Sequence, residues 1–274
     1  MGKVKIKRKS TLIDMTAMSD VTVLLLTFFM LTSTFLQKEP VTVETPSSVQ
    51  EQKVSTSNVV NVLVSPQGEV FLNVAGEVDP DASVAYAKEL NPDLTAEEAR
   101  KEKGKWASDS LRRDVIKQVI SDYNELHPNS PVRLTQDEVM QLAKIGTIGM
   151  PIADLQKFLA LSQVEQDQVY TKFYKLSDEE QKQYNRQKDV IHVGIPIDLD
   201  HGKTNEFQLW MRAIKKVARN SYPKMDEAMT KGEGIAVKSD RRTPFANMHV
   251  VLDNLQTLKM TRFTLMTALK SQDQ

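Results

Sequence analysis

The chain has 274 residues, 36 Lys+Arg against 36 Asp+Glu, 40% hydrophobic residues and no cysteine. This composition excludes collagen-like and wholly disordered classes and leaves enough apolar residues to bury a core. The missing thiols exclude disulfide frameworks, Fe–S clusters and thiolate zinc sites. Charge is uneven, because Lys3, Lys5, Lys7, Arg8 and Lys9 fall in the first nine residues. That leaves 31 cations against 36 carboxylates, net −5, over residues 10–274.

After the basic tip (1–14), Met15 to Leu36 runs 22 residues with one charge. As a helix that is roughly 33 Å at about 1.5 Å per residue, enough for one bilayer crossing. The most apolar later stretch, Ile145 to Val164, is broken by Asp154 and Lys157 and contains Gly149-Met150-Pro151. A signal peptide would have a core of about 7–15 residues and a small-x-small cleavage site. This run is longer and ends in Thr34-Phe35-Leu36-Gln37-Lys38, so it reads as an uncleaved anchor. The positive-inside bias keeps the tip cytoplasmic and exports residues from about 38 onward, into the periplasm of a didermic bacterium.

Asp20 is the informative residue of this run. A charged carboxylate in the bilayer costs on the order of 2.5–3.5 kcal/mol, so such residues usually face protein and mark an ion or proton path. At 100° per residue, Thr16, Thr27 and Thr34 fall on the same narrow stripe as Asp20, whereas Thr22, Thr32 and Ser33 lie off it. Hydroxyl-bearing faces pack against other helices in membranes, and off the stripe a hydroxyl can bond back to its own helix. Asp20 is therefore the candidate proton-carrying group. The competing reading places it near the cytoplasmic interface, hydrated there.

Leu12-Ile13-Asp14-Met15-Thr16-Ala17-Met18-Ser19-Asp20-Val21, followed by Leu24-Leu25-Leu26 and Phe28-Phe29-Met30-Leu31-Thr32, resembles the ExbD/TolR family of bacterial inner-membrane motor subunits. Its signature is Thr-Pro-x-x-Asp-Val leading into a Leu- and Phe-rich helix. Ala17 stands where that family usually has proline. The resemblance implies that Asp20 carries the proton. It also implies an ExbB-like pentamer enclosing a pair of these helices, with a TonB-like energy transducer beyond.

Residues 37–58 hold two prolines and Ser/Thr clusters and read as an extended periplasmic linker; the resemblance makes it a regulatory plug. Residues 58–64 and 69–74 flank Ser65-Pro66-Gln67-Gly68 and predict a β-hairpin. Residues 79–190 read as a helical insertion, with capping boxes at Thr95/Glu98, Thr135/Glu138, Ser162/Glu165 and Ser177/Glu180. Ile116, Val119, Ile120 and Tyr123 give one apolar face there, and Leu155, Phe158, Leu159 and Leu161 another. These predict a helical subdomain with a core of its own.

Next come a helix with Phe207, Trp210, Met211, Ile214, Val217 and Ala218 on one face, a strand over 234–240 and a helix from Pro244 to Leu258. That helix should bury Phe245, Met248, Leu252 and Leu255. A last strand covers 262–268. The fold class expected is α+β: one transmembrane helix, a linker, and a β-β-α-β-α-β periplasmic domain (59–78 and 191–270) carrying the insertion. The order again resembles the periplasmic domain of the ExbD/TolR family, through Val237-Lys238-Ser239-Asp240, Pro244-Phe245 and Val250-Val251-Leu252-Asp253. The likeness covers about residues 1–78 and 195–268.

Asp198-Leu199-Asp200-His201 could suggest a metal, but a hard-metal loop needs more oxygen ligands, and a solvated turn is the simpler reading. No catalytic motif or cofactor loop is present, so the chain does not read as an enzyme. Lys215-Lys216 and Arg241-Arg242 read as wet faces, and the acidic body argues against nucleic acid. A flagellar-type stator would share the membrane aspartate but carry a different outer domain. The expected function is a proton-motive-force-driven inner-membrane motor subunit acting in outer-membrane transport. A tethered periplasmic scaffold or binding protein without proton coupling is the alternative.

Overall fold

The computed structural model describes residues 15–32, 45, 47–48, 58–76, 80–101, 103–200, 203–266 and 268–269. The basic tip, most of the linker, Thr34 and His201 lie outside the described residues. The chain divides into two compact units, Met1–Lys38 and Glu39–Gln274. The first contains α1 (Met15–Thr32).

The second unit is built on the apolar hairpin of β2 (Val59–Val64) and β3 (Val70–Ala75), paired antiparallel after β1 (Ser47–Ser48). Its turn closes through Gly68 N–H to Ser65 O at 3.1 Å, with Gly68 at φ +100°, a region glycine occupies without penalty. Helices follow: α2 (Pro80–Leu90), α3 (Ala96–Lys101), α4 (Lys103–Leu126) and α5 (Gln136–Ile145). A short strand, β4 (Thr147–Ile148), precedes a 3₁₀ turn (Ile152–Asp154), α6 (Leu155–Leu159), α7 (Gln163–Phe173) and α8 (Asp178–Tyr184). The chain ends with α9 (Glu206–Ser221), α10 (Pro223–Lys231), β5 (Ile235–Ser239), α11 (Phe245–Thr257), β6 (Thr264–Met266) and β7 (Ala268–Leu269).

The main sheet has the order β4-β3-β2-β5-β6, with β2, β5 and β6 mutually parallel; β1 and β7 form a separate parallel pair. The expected mixed α and β order is thus present, with α10, β4 and the β1–β7 pair added. β2 is buried at five of its six positions. A strand covered on both faces has this near-continuous apolar pattern instead of alternation. The expected face of α9 is buried throughout, from Phe207 to Ala218.

Two expectations are corrected. The helices of 79–190 do not have a core of their own: Leu111, Ile116, Val119, Phe158 and Phe173 join Phe71, Leu72 and Trp210 in one buried cluster. The reason is α4, which packs on α2, α5, α9 and β3 at once. The second concerns α11, whose Phe245 is 73% exposed while Val251 and Leu255 are fully buried. Phe245 lies about 120° around the helix from Val251 at 100° per residue. Asn254 takes the buried side instead, 1% exposed, its amide donating to Asp198 O at 2.7 Å and accepting from Asn205 and Gln208 at 2.8 and 2.7 Å.

All four capping boxes form. Thr135 N–H donates to the Glu138 carboxylate at 2.7 Å, and equivalent pairs tie Thr95 to Glu98, Ser162 to Glu165 and Ser177 to Glu180. The hydroxyl and amide bonds hold the Glu98, Glu165 and Glu180 carboxyls below their ordinary value. Thr135→Ala should cost about 1 kcal/mol in urea unfolding, as loss of an N-cap side chain does; an unchanged midpoint would mean the box contributes nothing.

Candidate proton-carrying site

α1 is an unbroken helix of 18 residues, about 27 Å at 1.5 Å per residue. Every described side chain from Met18 to Met30 is exposed, Asp20 included. Two turns separate Asp20 from Thr27, so both lie on one line of the helix. The Thr27 hydroxyl donates to Leu24 O at 3.0 Å and the Thr22 hydroxyl to Met18 O at 2.7 Å. Back-bonding is therefore not confined to off-stripe hydroxyls. Thr16 lies in α1, but its side chain, like Thr34, is outside the described residues.

Among the described residues, no helix is long and apolar enough to cross a membrane. The run 15–36 expected to cross extends past Thr32, where the described part of the helix ends, into residues outside those described.

In the second unit, no group of three or more His, Asp or Glu among the described residues could hold a metal ion. Asp198 instead accepts from Asp200 N–H at 3.1 Å and from the Asn205 amide at 3.2 Å, making a capped turn. An ionic cluster at the 3₁₀ turn has no counterpart among the expectations from sequence. There Asp154, 5% exposed, lies 2.5 Å from His192 Nδ1, and Lys157 Nζ is 3.6 Å away. Glu206, opening α9, accepts Ile152 N–H at 2.7 Å. A charge inside the apolar run Ile152–Leu155 was the available signal, since buried charges require partners.

Burial pushes the Glu206 carboxyl up from its ordinary 4.5, opposed by the Ile152 amide and by His127. Glu69 is raised likewise, chiefly by burial, against hydrogen bonds from Ser65 and its own amide. A raised acid binds its proton more tightly folded than unfolded. Its contribution to stability is therefore complete below the unfolded value and is lost as pH rises through the folded one. Glu206→Gln should melt with wild type at about pH 4 and above it at about pH 7.5. Equal melting at both would contradict the assignment.

The family model described as ExbD, Biopolymer transport protein ExbD/TolR, matches residues 7–150. The matched span includes 79–150, outside the motifs that carry the resemblance, and stops before 195–268, where its further motifs lie. No curated protein and no solved structure matches. Members of this family are inner-membrane-associated, non-enzymatic subunits of biopolymer transport motors and work with ExbB/TolQ-type partners. With more than half of its length matched, the basic tip's tail, α1 and Asp20 included, this chain belongs to the ExbD/TolR family.

Proposed function

We propose that the chain is the proton-coupling subunit of a proton-motive-force-driven motor, with Asp20 as the proton carrier. The apolar run 15–36 crosses the inner membrane once and leaves the basic tip in the cytoplasm and the second unit in the periplasm. The observation that carries this reading is a carboxylate on a helix exposed and apolar from Val21 to Met30 except for two threonines. Such a helix is unsuited to water, and its carboxylate is unsuited to lipid by about 2.5–3.5 kcal/mol. An enclosing protein resolves both, and an ExbB-like polytopic ring, a pentamer around a pair of these helices, has the right chemistry.

A carboxyl held between protein surfaces can take a proton from one side and release it to the other. The membrane potential drives that exchange with about 2.3 kcal/mol per charge per 100 mV. Thr16, Thr27 and Thr34 line the same stripe as helix-packing groups, and the linker passes motion to the periplasmic unit and on to a TonB-like transducer serving outer-membrane transport. Extraction in mild detergent should yield the chain with a stoichiometric polytopic partner. Recovery of the chain alone, with normal function of the cells, would favour a tethered scaffold instead.

A further inference from the structure

The polar side of α9 carries Arg212, Lys215, Lys216 and Arg219, spaced i, i+3, i+4 and i+7 along one line of the helix. Opposite stands Lys259, just after α11, and the two sides bound an open groove of about 560 Å³. A second hollow of about 240 Å³ shares Lys215, Arg219, Lys259 and Met260 with it and adds Arg262. Asp226 is the one carboxylate among the described lining residues. Lys216 Nζ also reaches Asp122 at 3.5 Å. This concentration of cations runs against the net −5 of residues 10–274.

The loop itself supports a binding role. Lys259 has φ +57° and directly follows the helix C-cap, where glycine usually serves because a Cβ is disfavoured. A lysine there keeps an ammonium on the groove wall. Beside it, half-buried Leu258 and the small accessible part of Met260, 6% exposed, leave a narrow apolar strip.

We infer that this groove is a docking site for an extended, acidic segment of a partner protein, with carboxylates alternating with apolar side chains. Arg212 to Arg219 spans about 10 Å of helix at 1.5 Å per residue, the length of roughly three to four extended residues. Cations on two facing walls can reach carboxylates projecting to both sides of such a strand, and the apolar strip meets the remaining side chains. A planar headgroup surface meets a convex face and would not enter between two walls. The inference does not depend on the role of Asp20.

The test uses the full chain in detergent and a fluorescein-labelled eight-residue peptide of alternating Glu and Leu, read by anisotropy. Binding should weaken steeply with added salt. The paired variant Lys215→Gln, Arg219→Gln should weaken it at least tenfold, while Lys215→Arg, Arg219→Lys should retain it. Arg186→Gln with Lys188→Gln, away from the groove, should bind as wild type, and unchanged melting curves certify the fold. Failure of the wild type to bind, or equal binding by the Gln pair, would overturn the inference. So would vesicles of phosphatidylglycerol binding through Lys215 and Arg219 while the peptide does not, which would assign the groove to a membrane surface.

Discussion

Arg112→Ala should destabilise the second unit by about 3–5 kcal/mol, the cost of breaking a buried charge network by removing one partner. Arg112 lies on α4 and is 7% exposed. Its Nε donates to Ala143 O of α5 at 2.6 Å, Nη1 to Val74 O of β3 at 3.3 Å, and Nη2 pairs with Asp109. Truncation leaves two carbonyls and one carboxylate without that donor in a dry interior. Lysine should not restore the loss, because one ammonium cannot reproduce the planar fork. Urea unfolding followed by circular dichroism checks this. A loss below about 1 kcal/mol would show that α4 is not fastened to the sheet as described.

Gly149→Ala should be the other severe substitution. A Cβ there would stand 1.8 Å from Phe71 Cδ1 and 2.3 Å from Cε1, and Phe71 is fully buried in the sheet core. Ring and backbone must then separate, an overpacking strain of about 1–3 kcal/mol or more. Gly149 O also accepts Gly194 N–H at 2.8 Å, so the backbone cannot shift without losing that bond. Phe71→Leu made together with Gly149→Ala should cost less than the sum of the two single changes. Strict additivity would place the strain elsewhere.

Both changes fall where 79–190 meets the sheet, and this junction was the least legible part of the sequence. Local signals carried well. The β-branched hairpin with its Pro/Gly turn, the 3.6-residue period of α9 and four Ser/Thr-x-x-Glu boxes each act within a few residues, and each forms. β4 has only two residues, Thr147 and Ile148, and exists through pairing with Asn73 and Leu72 of β3, a partnership no local pattern announces. Burial of Asn254 in place of Phe245 depended on the amides of Asn205 and Gln208 arriving from α9. α10 did carry a readable sign, Pro223 at its first turn.

The candidate site divides the same way. Asp20 could be found from sequence because one acid in an apolar run is a local contrast, and the structure adds an unbroken helix and an exposed side chain. Lys215-Lys216 is legible as a wet helix face, but its grouping with Arg212 and Arg219 against the wall of Lys259 and Arg262 arises from tertiary folding.

The most direct test is proton flux through the complex of this chain and its polytopic partner, reconstituted in vesicles bearing a membrane potential. The account predicts that Asp20→Asn leaves assembly intact and abolishes flux, while Asp20→Glu, which keeps the carboxyl, retains part of it. Wild-type flux from an assembled Asp20→Asn complex would contradict it.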